Sequence, residues 1–244
     1  MRFQTPLVPA RLIRRYKRFL ADAVLEETGE EITAHCPNPG AMTGLQDEDT
    51  RIWLEPNNDP RKKLKFGWRV SELRDGGFAC IDTTLPNRVA KEALLSGQVS
   101  ELTRYDTVRP EVAYGTGSRI DFLLSHDVLP AAYIEVKSVT LRRDRRWAEF
   151  PDCVTKRGAR HLQDLTEIAR SGDRAVMLYL VGRTDCHYLK VADDLDPNYA
   201  KSFDSARQSG VEMLCYSTRI SPDGIWLGKP LAIDEGPQFR PRVV

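Results

Sequence analysis

No apolar run in the 244-residue chain approaches the ~20 residues that cross a bilayer. The first residues carry no apolar signal-peptide core, so the sequence predicts a cytoplasmic protein with no membrane partner. Cysteine is scarce: the five (36, 80, 153, 186 and 215) are odd in number and none forms a C-x-x-C pair. That excludes a disulfide framework and a zinc module and fits reduced thiols. The four histidines show no metal-ligand spacing. The chain has no G-x-x-x-x-G-K-[ST], no G-x-G-x-x-G and no G-x-S-x-G, and Gly115-Thr116-Gly117 is too short for a dinucleotide loop. Internal repeats, low-complexity segments and a helix-turn-helix are absent too. Net charge is equally unhelpful, since 36 basic and 35 acidic residues nearly cancel.

Local charge is more informative. Arg2, Arg11, Arg14, Arg15, Lys17 and Arg18 fall in the first twenty residues with no acid among them. Arg61, Lys62, Lys63 and Lys65 make a second cluster, and Arg142, Arg143, Arg145 and Arg146 a third. Three such clusters in a neutral chain suggest an anion-binding surface, the plain alternative being solvated faces.

Patterning divides the chain near residue 84. Before it, the apolar stretches at 12–25, 31–36, 51–54, 64–73 and 78–81 read as strands. Pro37-Asn38-Pro39-Gly40, Pro56-Asn57-Asn58-Asp59-Pro60 and Asp75-Gly76-Gly77 punctuate them as turns. Five short strands in some eighty residues predict a small OB-like barrel over 1–84. Tyr16, Phe19, Phe66 and Trp68 stand among the basic clusters, as stacking platforms for an oligonucleotide or as barrel core. From 85 to 244 the order predicts an α/β (α+β) domain with a mixed sheet. Its helices span 85–97, 153–171 and 197–208. Its strands lie near 111–114, 118–124, 133–139, 174–181 and 211–216. Residues 142–149 read as a charged, mobile loop touching a DNA backbone non-specifically, and 218–244 as loop and short strand with Pro222, Pro230, Pro237 and Pro241.

The chemistry concentrates on Gly117-Ser118-Arg119-Ile120-Asp121-Phe122-Leu123-Leu124 and Tyr133-Ile134-Glu135-Val136-Lys137-Ser138-Val139. Read as a hairpin, these strands set Asp121 beside Glu135. The period of two puts Glu135 and Lys137 on one face, with Ile134 and Val136 buried behind. A lone E-x-K is usually a solvated strand face. Asp121, however, lies within an apolar run, where a carboxylate needs a cation or several donors. Two carboxylates suit Mg²⁺ or Mn²⁺, with the Val136 carbonyl as a further ligand, and Lys137 can assist the attack of water on a phosphodiester. Glu92 and Glu111 are candidates for an accessory acid. Lys156, Arg157, Arg160 and His161 share one broad helical face that could meet the phosphate.

The D-x13-E-x-K spacing in an αβββαβ order resembles the PD-(D/E)XK nuclease superfamily. More closely, the chain resembles the sugar fermentation stimulation protein A family. The matching stretches include Arg14 to Asp22, Ala34 to Met42, Pro86-Asn87-Arg88, Tyr114-Gly115, Ser118 to Asp121 and Glu135 to Leu141. Phe150-Pro151-Asp152, Thr155, Arg157-Gly158, His161-Leu162 and Asp196-Pro197 follow. One departure is Pro39, in a C-P-N-x-G turn where a small hydroxylated residue is expected. The resemblance implies an OB-like domain, a nuclease-like domain with Asp121, Glu135 and Lys137 at its site, and DNA binding. It also implies a role in regulating sugar (maltose-type) metabolism genes, which would make the chain a transcription regulator without cleavage. Arg15, Lys17, Arg18, Lys63, Lys156, Arg157 and His161 are the expected DNA contacts. RNA is the alternative substrate, and a homodimer is left open.

Overall fold

In the computed structural model, which describes residues 1–114, 118–144 and 146–234, the basic run at 12–25 is not one element. It is two antiparallel strands, β1 (Val8–Tyr16) and β2 (Leu20–Leu25), in register from Tyr16↔Leu20 to Ala10↔Leu25. Lys17 and Arg18 turn the hairpin with φ of 48° and 64°, a conformation that long side chains adopt rarely. With no Gly, Asn or Pro there, the sequence carries no turn signal. Strands β3 (Glu31–His35), β4 (Arg51–Pro56) and β5 (Phe66–Glu72) complete a barrel in the order β3-β2-β1-β4-β5. It closes by a β3–β5 pairing at His35↔Gly67. β6 (Phe78–Cys80) runs off β5 as a sixth strand outside the five. The interior mixes small Ala10, Ala21, Ala23 and Ala34 with large Leu12, Ile52, Leu54 and Trp68, all at most 1% exposed. Small and large inward residues together fill a tapering barrel. Trp68 is therefore core and not a stacking platform, whereas Phe19 is 47% exposed.

The rest of the chain begins with α1 (Leu85–Leu95), led by Pro86 in its first turn, with Val89, Ala90, Ala93 and Leu94 buried. Thr84 holds the cap position without donating a side-chain cap. Instead, the Asp82 carboxylate accepts from the Thr84 amide and hydroxyl at 2.8 and 2.7 Å. Strands β7 (Thr107–Tyr114), β8 (Ser118–His126) and β9 (Leu129–Val139) form a meander. β10 (Leu141–Asp144) and β11 (Trp147–Phe150) follow as a hairpin. The expected charged loop at 142–149 is thus strand at 142–144 and 147–149, with charges paired within the fold: Arg143 with Glu149 and Asp194, Arg142 with Asp185. Arg145 lies outside the described residues. α2 (Lys156–Arg170) is capped by Thr155, whose hydroxyl accepts the Gly158 amide at 3.1 Å. Next come β12 (Arg174–Val181), β13 (Tyr188–Val191), which the sequence reading missed, and α3 (Pro197–Gln208), capped by Asp196. β14 (Glu212–Ser221), β15 (Gly224–Pro230) and β16 (Ala232–Ile233) end the described chain. Residues 218–230, expected as loop and short strand, are a hairpin of two long strands, while Pro237 and Pro241 lie outside the described residues.

The large sheet has the order β15-β14-β12-β9-β8-β7, with β9, β12 and β14 parallel at its centre. One face packs Phe122, Leu124, Ile134 and Val136 against α1. The other packs Ile120, Met177 and Tyr179 against Leu162, Leu165, Tyr199 and Phe203 of α2 and α3. The smaller sheet is β10-β11-β13-β16. β6 joins the barrel to this body, through the Cys80 amide on the Gly182 carbonyl (2.8 Å) and the Phe78 amide on the Thr184 hydroxyl (2.9 Å). Among the described residues no helix is long and apolar enough to cross a membrane.

Candidate functional site

The β8–β9 ladder runs through Leu124↔Ala132 and Leu123↔Tyr133 and ends at Phe122↔Ile134. At the next position the Asp121 side chain takes over: one carboxylate oxygen accepts the Val136 amide at 2.7 Å, where a strand carbonyl would otherwise sit. β9 stays paired with β12 as far as Val139, so β8 and β9 part at Asp121. A residue in a strand directs its N–H and C=O to the same side, which turns the Val136 carbonyl toward this opening as well. The other Asp121 oxygen accepts the Asn87 amide from the first turn of α1, at 2.7 Å.

Glu135 is 4% exposed on the α2 side of β9. Its Oε1 accepts from Lys137 Nζ at 2.7 Å and bonds to His161 Nδ1. Lys137 Nζ also lies 3.0 Å from that Nδ1. Arg157, one helical turn before His161, donates to its Nε2 at 3.2 Å. A guanidinium can only donate, so Nε2 accepts and Nδ1 carries the proton toward Glu135.

The two acids are held in opposite senses. Burial raises the Asp121 pKa, the Glu135 charge adds to the rise, and the Val136 and Asn87 donors offset only part of it. Burial also works against ionised Glu135, but the His161 hydrogen bond and the Lys137 charge outweigh it and hold its pKa below the ordinary value. Two neighbouring acids pushed apart in this way are a mark of functional sites. A consequence for stability follows. Asp121 titrates above its ordinary 3.8, so the stability it contributes is full below that pH and lost as pH rises through the folded value. At neutral pH in chelator, Asp121→Asn is therefore expected to raise the urea midpoint, with the gain shrinking toward pH 4. A midpoint at or below that of wild type at neutral pH would contradict this picture of the site.

Among the described residues, no three His, Cys, Asp or Glu side chains form a ready metal cluster. The donor set at the opening is two carboxylates and one carbonyl, all hard oxygens. That suits Mg²⁺, Mn²⁺ or Ca²⁺, which complete their shells with water and phosphate. A cation there would also relieve the charge that burial and Glu135 make costly on Asp121.

The remaining candidates are scattered. Glu111 stands across from Asp121 in the β7–β8 register, between Pro110↔Phe122 and Val112↔Ile120, exposed and with φ of 54°. Glu92 is not at the opening: it pairs with the Met1 amino group at 3.1 Å, which corrects its reading as an accessory acid. Arg15 is turned inward, donating to the carbonyls of Asn38 (2.7 Å) and Gly40 (3.1 Å) and to Gln46 (3.2 Å). It braces a loop instead of offering a phosphate contact. Lys17 and Arg18 are exposed at the β1–β2 tip, and Lys156 and Arg157 at the start of α2. Lys63 lines a barrel cavity of about 400 Å³ with Phe66, His35 and Lys62. His161 faces Glu135 and Lys137, so it reaches the site through them. Asn87 escaped the sequence reading as a site residue; its signals were a polar amide beside Pro86 at a helix start and its place in the Pro86-Asn87-Arg88 stretch that carries the family resemblance.

Comparison with known proteins matches the chain to two family descriptions. Residues 84–224 match the family described as the sugar fermentation stimulation protein RE domain, and residues 13–81 the SfsA N-terminal OB domain. A sugar fermentation stimulation protein homolog from Jannaschia sp. (strain CCS1) is 64% identical over 241 residues, covering 98% of this chain and all of the relative. The homolog from Agrobacterium fabrum is 47% identical over 244 residues, covering both chains completely. Among solved structures, that of Pyrococcus furiosus SfsA in complex with Ca²⁺ is similar, with a TM-score of 0.85 and 25% identity. The match covers 96% of this chain and 98% of the other.

Proposed function

The chain belongs to the sugar fermentation stimulation protein family, and we propose that it is a DNA-binding phosphodiesterase dependent on a divalent cation. One observation carries the reading. Asp121 and Glu135, fourteen positions apart, meet where two strands part, with Lys137 bonded to Glu135 at the same opening. Contact with DNA alone does not need two carboxylates set against a phosphate; cleavage does. Asp121, Glu135 and the Val136 carbonyl are the groups to hold Mg²⁺ or Mn²⁺, and the Ca²⁺ of the Pyrococcus furiosus relative agrees with such a donor set. A cation bound there supplies Lewis-acid activation of water and offsets charge on the phosphorus oxygens. The protein's own groups do the rest. Asn87 and the Val136 amide orient the Asp121 carboxylate. His161, held by Arg157, fixes Glu135, and the Lys137 ammonium stands ready for the charge that builds on the phosphate. The exposed cations Lys17, Arg18, Lys156 and Arg157 supply backbone attraction, which weakens as salt rises.

The test is a panel of labelled single-stranded, double-stranded and branched DNAs, with matched RNA, incubated with Mg²⁺, Mn²⁺ or chelator. Metal-dependent cleavage supports the proposal. Sequence-specific retardation with no cleavage in any divalent metal would favour a transcription regulator of sugar-metabolism genes, and preferential RNA cleavage an RNA-processing enzyme. The orientation of Asp121 by Asn87 can be tested separately. Losing a partner that positions a metal ligand weakens metal affinity about 10–100-fold, so Asn87→Ala should do so for Mn²⁺ in titration calorimetry. Wild-type affinity in that variant would show that the amide has no such part.

A further inference from the structure

Between the barrel and the segments around β9 to β11 lies a groove of about 340 Å³. The barrel contributes Asn38, Pro39 and Gly40; β9 contributes Ser138, next in chain to Lys137, Thr140 follows it, and β11 of the smaller sheet contributes Phe150. Phe150 packs on Tyr179 with ring centroids 5.7 Å apart, and Tyr179 lies opposite Lys137 in the β9–β12 register, so the groove lies next to the opening where Glu135 and Lys137 stand.

Its barrel wall is rigidly built. Arg15 holds the Asn38 and Gly40 carbonyls, the Asn38 side chain donates to the Ile81 carbonyl (3.0 Å) and accepts the Gly40 amide (2.8 Å), and the Thr83 hydroxyl donates to the Pro37 carbonyl (3.0 Å). The Ala41 amide reaches across to Asp152 at 3.3 Å. On the sheet wall, the hydroxyls of Ser138 and Thr140 donate to no partner among the described residues.

The rim is cationic. Lys17 and Arg18 at the β1–β2 tip and Lys156 at the start of α2 are exposed, and none has an ion-pair partner among the described residues. Arg15 donates both to the Arg18 carbonyl (3.1 Å) and to the Asn38 and Gly40 carbonyls of the barrel wall, so the tip stands beside the groove that Cys153 also lines. Cations at the rim, hydroxyls and carboxylates within, and the half-buried ring of Phe150 match the parts of a nucleotide: phosphate outside, base and sugar inside. The volume is at the small end of the ~300–1,000 Å³ typical of ligand pockets. It admits one nucleotide and not a duplex.

We propose that this groove holds an unpaired nucleotide of the DNA strand adjoining the scissile phosphate, so that the protein engages single strands or strand ends in preference to continuous duplex. The inference rests on the proposed phosphodiesterase reading, which names DNA as the partner.

Cys153 gives a selective test, since it is exposed and the other four cysteines are buried. The protein is alkylated with a bulky maleimide, and binding of fluorescent oligonucleotides is followed by anisotropy in chelator. Unmodified protein should bind a single strand about tenfold more tightly than a blunt duplex, and alkylation should remove about that advantage, the effect of losing one well-held base. Cys153→Ser should keep the preference and be insensitive to the reagent. Equal affinity for both DNAs before modification, or an unchanged single-strand affinity after it, would overturn the proposal. Because binding is read without metal, a failure to cleave would count against the function and not against the groove.

Discussion

Glu135→Ala should lower the metal-dependent cleavage rate by about 10²–10³-fold or more, the usual result of removing one preorganised charge from a reacting phosphate. The expectation comes from how Glu135 is held. It is buried yet kept ionised, because His161 and Lys137 outweigh the desolvation that opposes its charge. Alanine removes the hard oxygen offered to the cation and also frees Lys137 and His161 from their shared anchor. Lys137→Ala should cost a similar factor. The double variant should be little worse than either alone, since groups acting as a unit are strongly non-additive. Single-turnover rates on a labelled oligonucleotide give the measurement, with circular dichroism to verify folding. Cleavage within tenfold of wild type in folded Glu135→Ala would remove this site from the chemistry.

The second large effect concerns stability and lies away from the site. Arg143→Ala is expected to cost about 3 kcal/mol, the low end of the ~3–5 kcal/mol for breaking a buried ion pair. Glu149 is 1% exposed, and its carboxylate accepts the Arg143 amide at 3.1 Å and Nε at 2.9 Å. Without the guanidinium, Glu149 keeps the backbone amide of residue 143 and Lys190 at 4.0 Å. The exposed end of Arg143 and that lysine keep the loss at the low end. Adding Glu149→Gln should recover much of it by removing the stranded charge. Urea unfolding reads both variants. DNA affinity should stay the same, because Glu149 and Asp194 occupy the Arg143 guanidinium. A small stability loss with a large affinity loss would restore the sequence reading of a DNA-touching loop.

That loop shows where sequence reading fails. Arg142 and Arg143 look solvated because their partners, Asp185, Glu149 and Asp194, are distant in sequence or belong to other strands. Short-range patterning cannot register such pairs. The Lys17-Arg18 turn was hidden for a related reason: long basic side chains in left-handed geometry depart from the residues that signal turns. The role of Asn87 was not legible, although its stretch carried the family resemblance, because that role depends on α1 packing beside β8. The core of the site was legible for the opposite reason. Asp121 inside an apolar strand, and Glu135 with Lys137 at a spacing of two, are local features of a period that any strand imposes. The barrel was legible too, through five turn-punctuated apolar runs, although the fifth run proved to lie outside it. Arg15 is the intermediate case: its basic cluster was plain, but its inward direction became visible only with the loop it braces.

The account turns most directly on one comparison. Wild type and Asp121→Asn, both stripped with chelator, are given Mn²⁺ and a labelled single-stranded DNA. The account predicts cleavage by wild type only, none before the metal is added, and none by Asp121→Asn although that variant is the more stable protein. Cleavage by Asp121→Asn at the wild-type rate, or DNA that stays bound and intact with wild type in Mn²⁺, would contradict it.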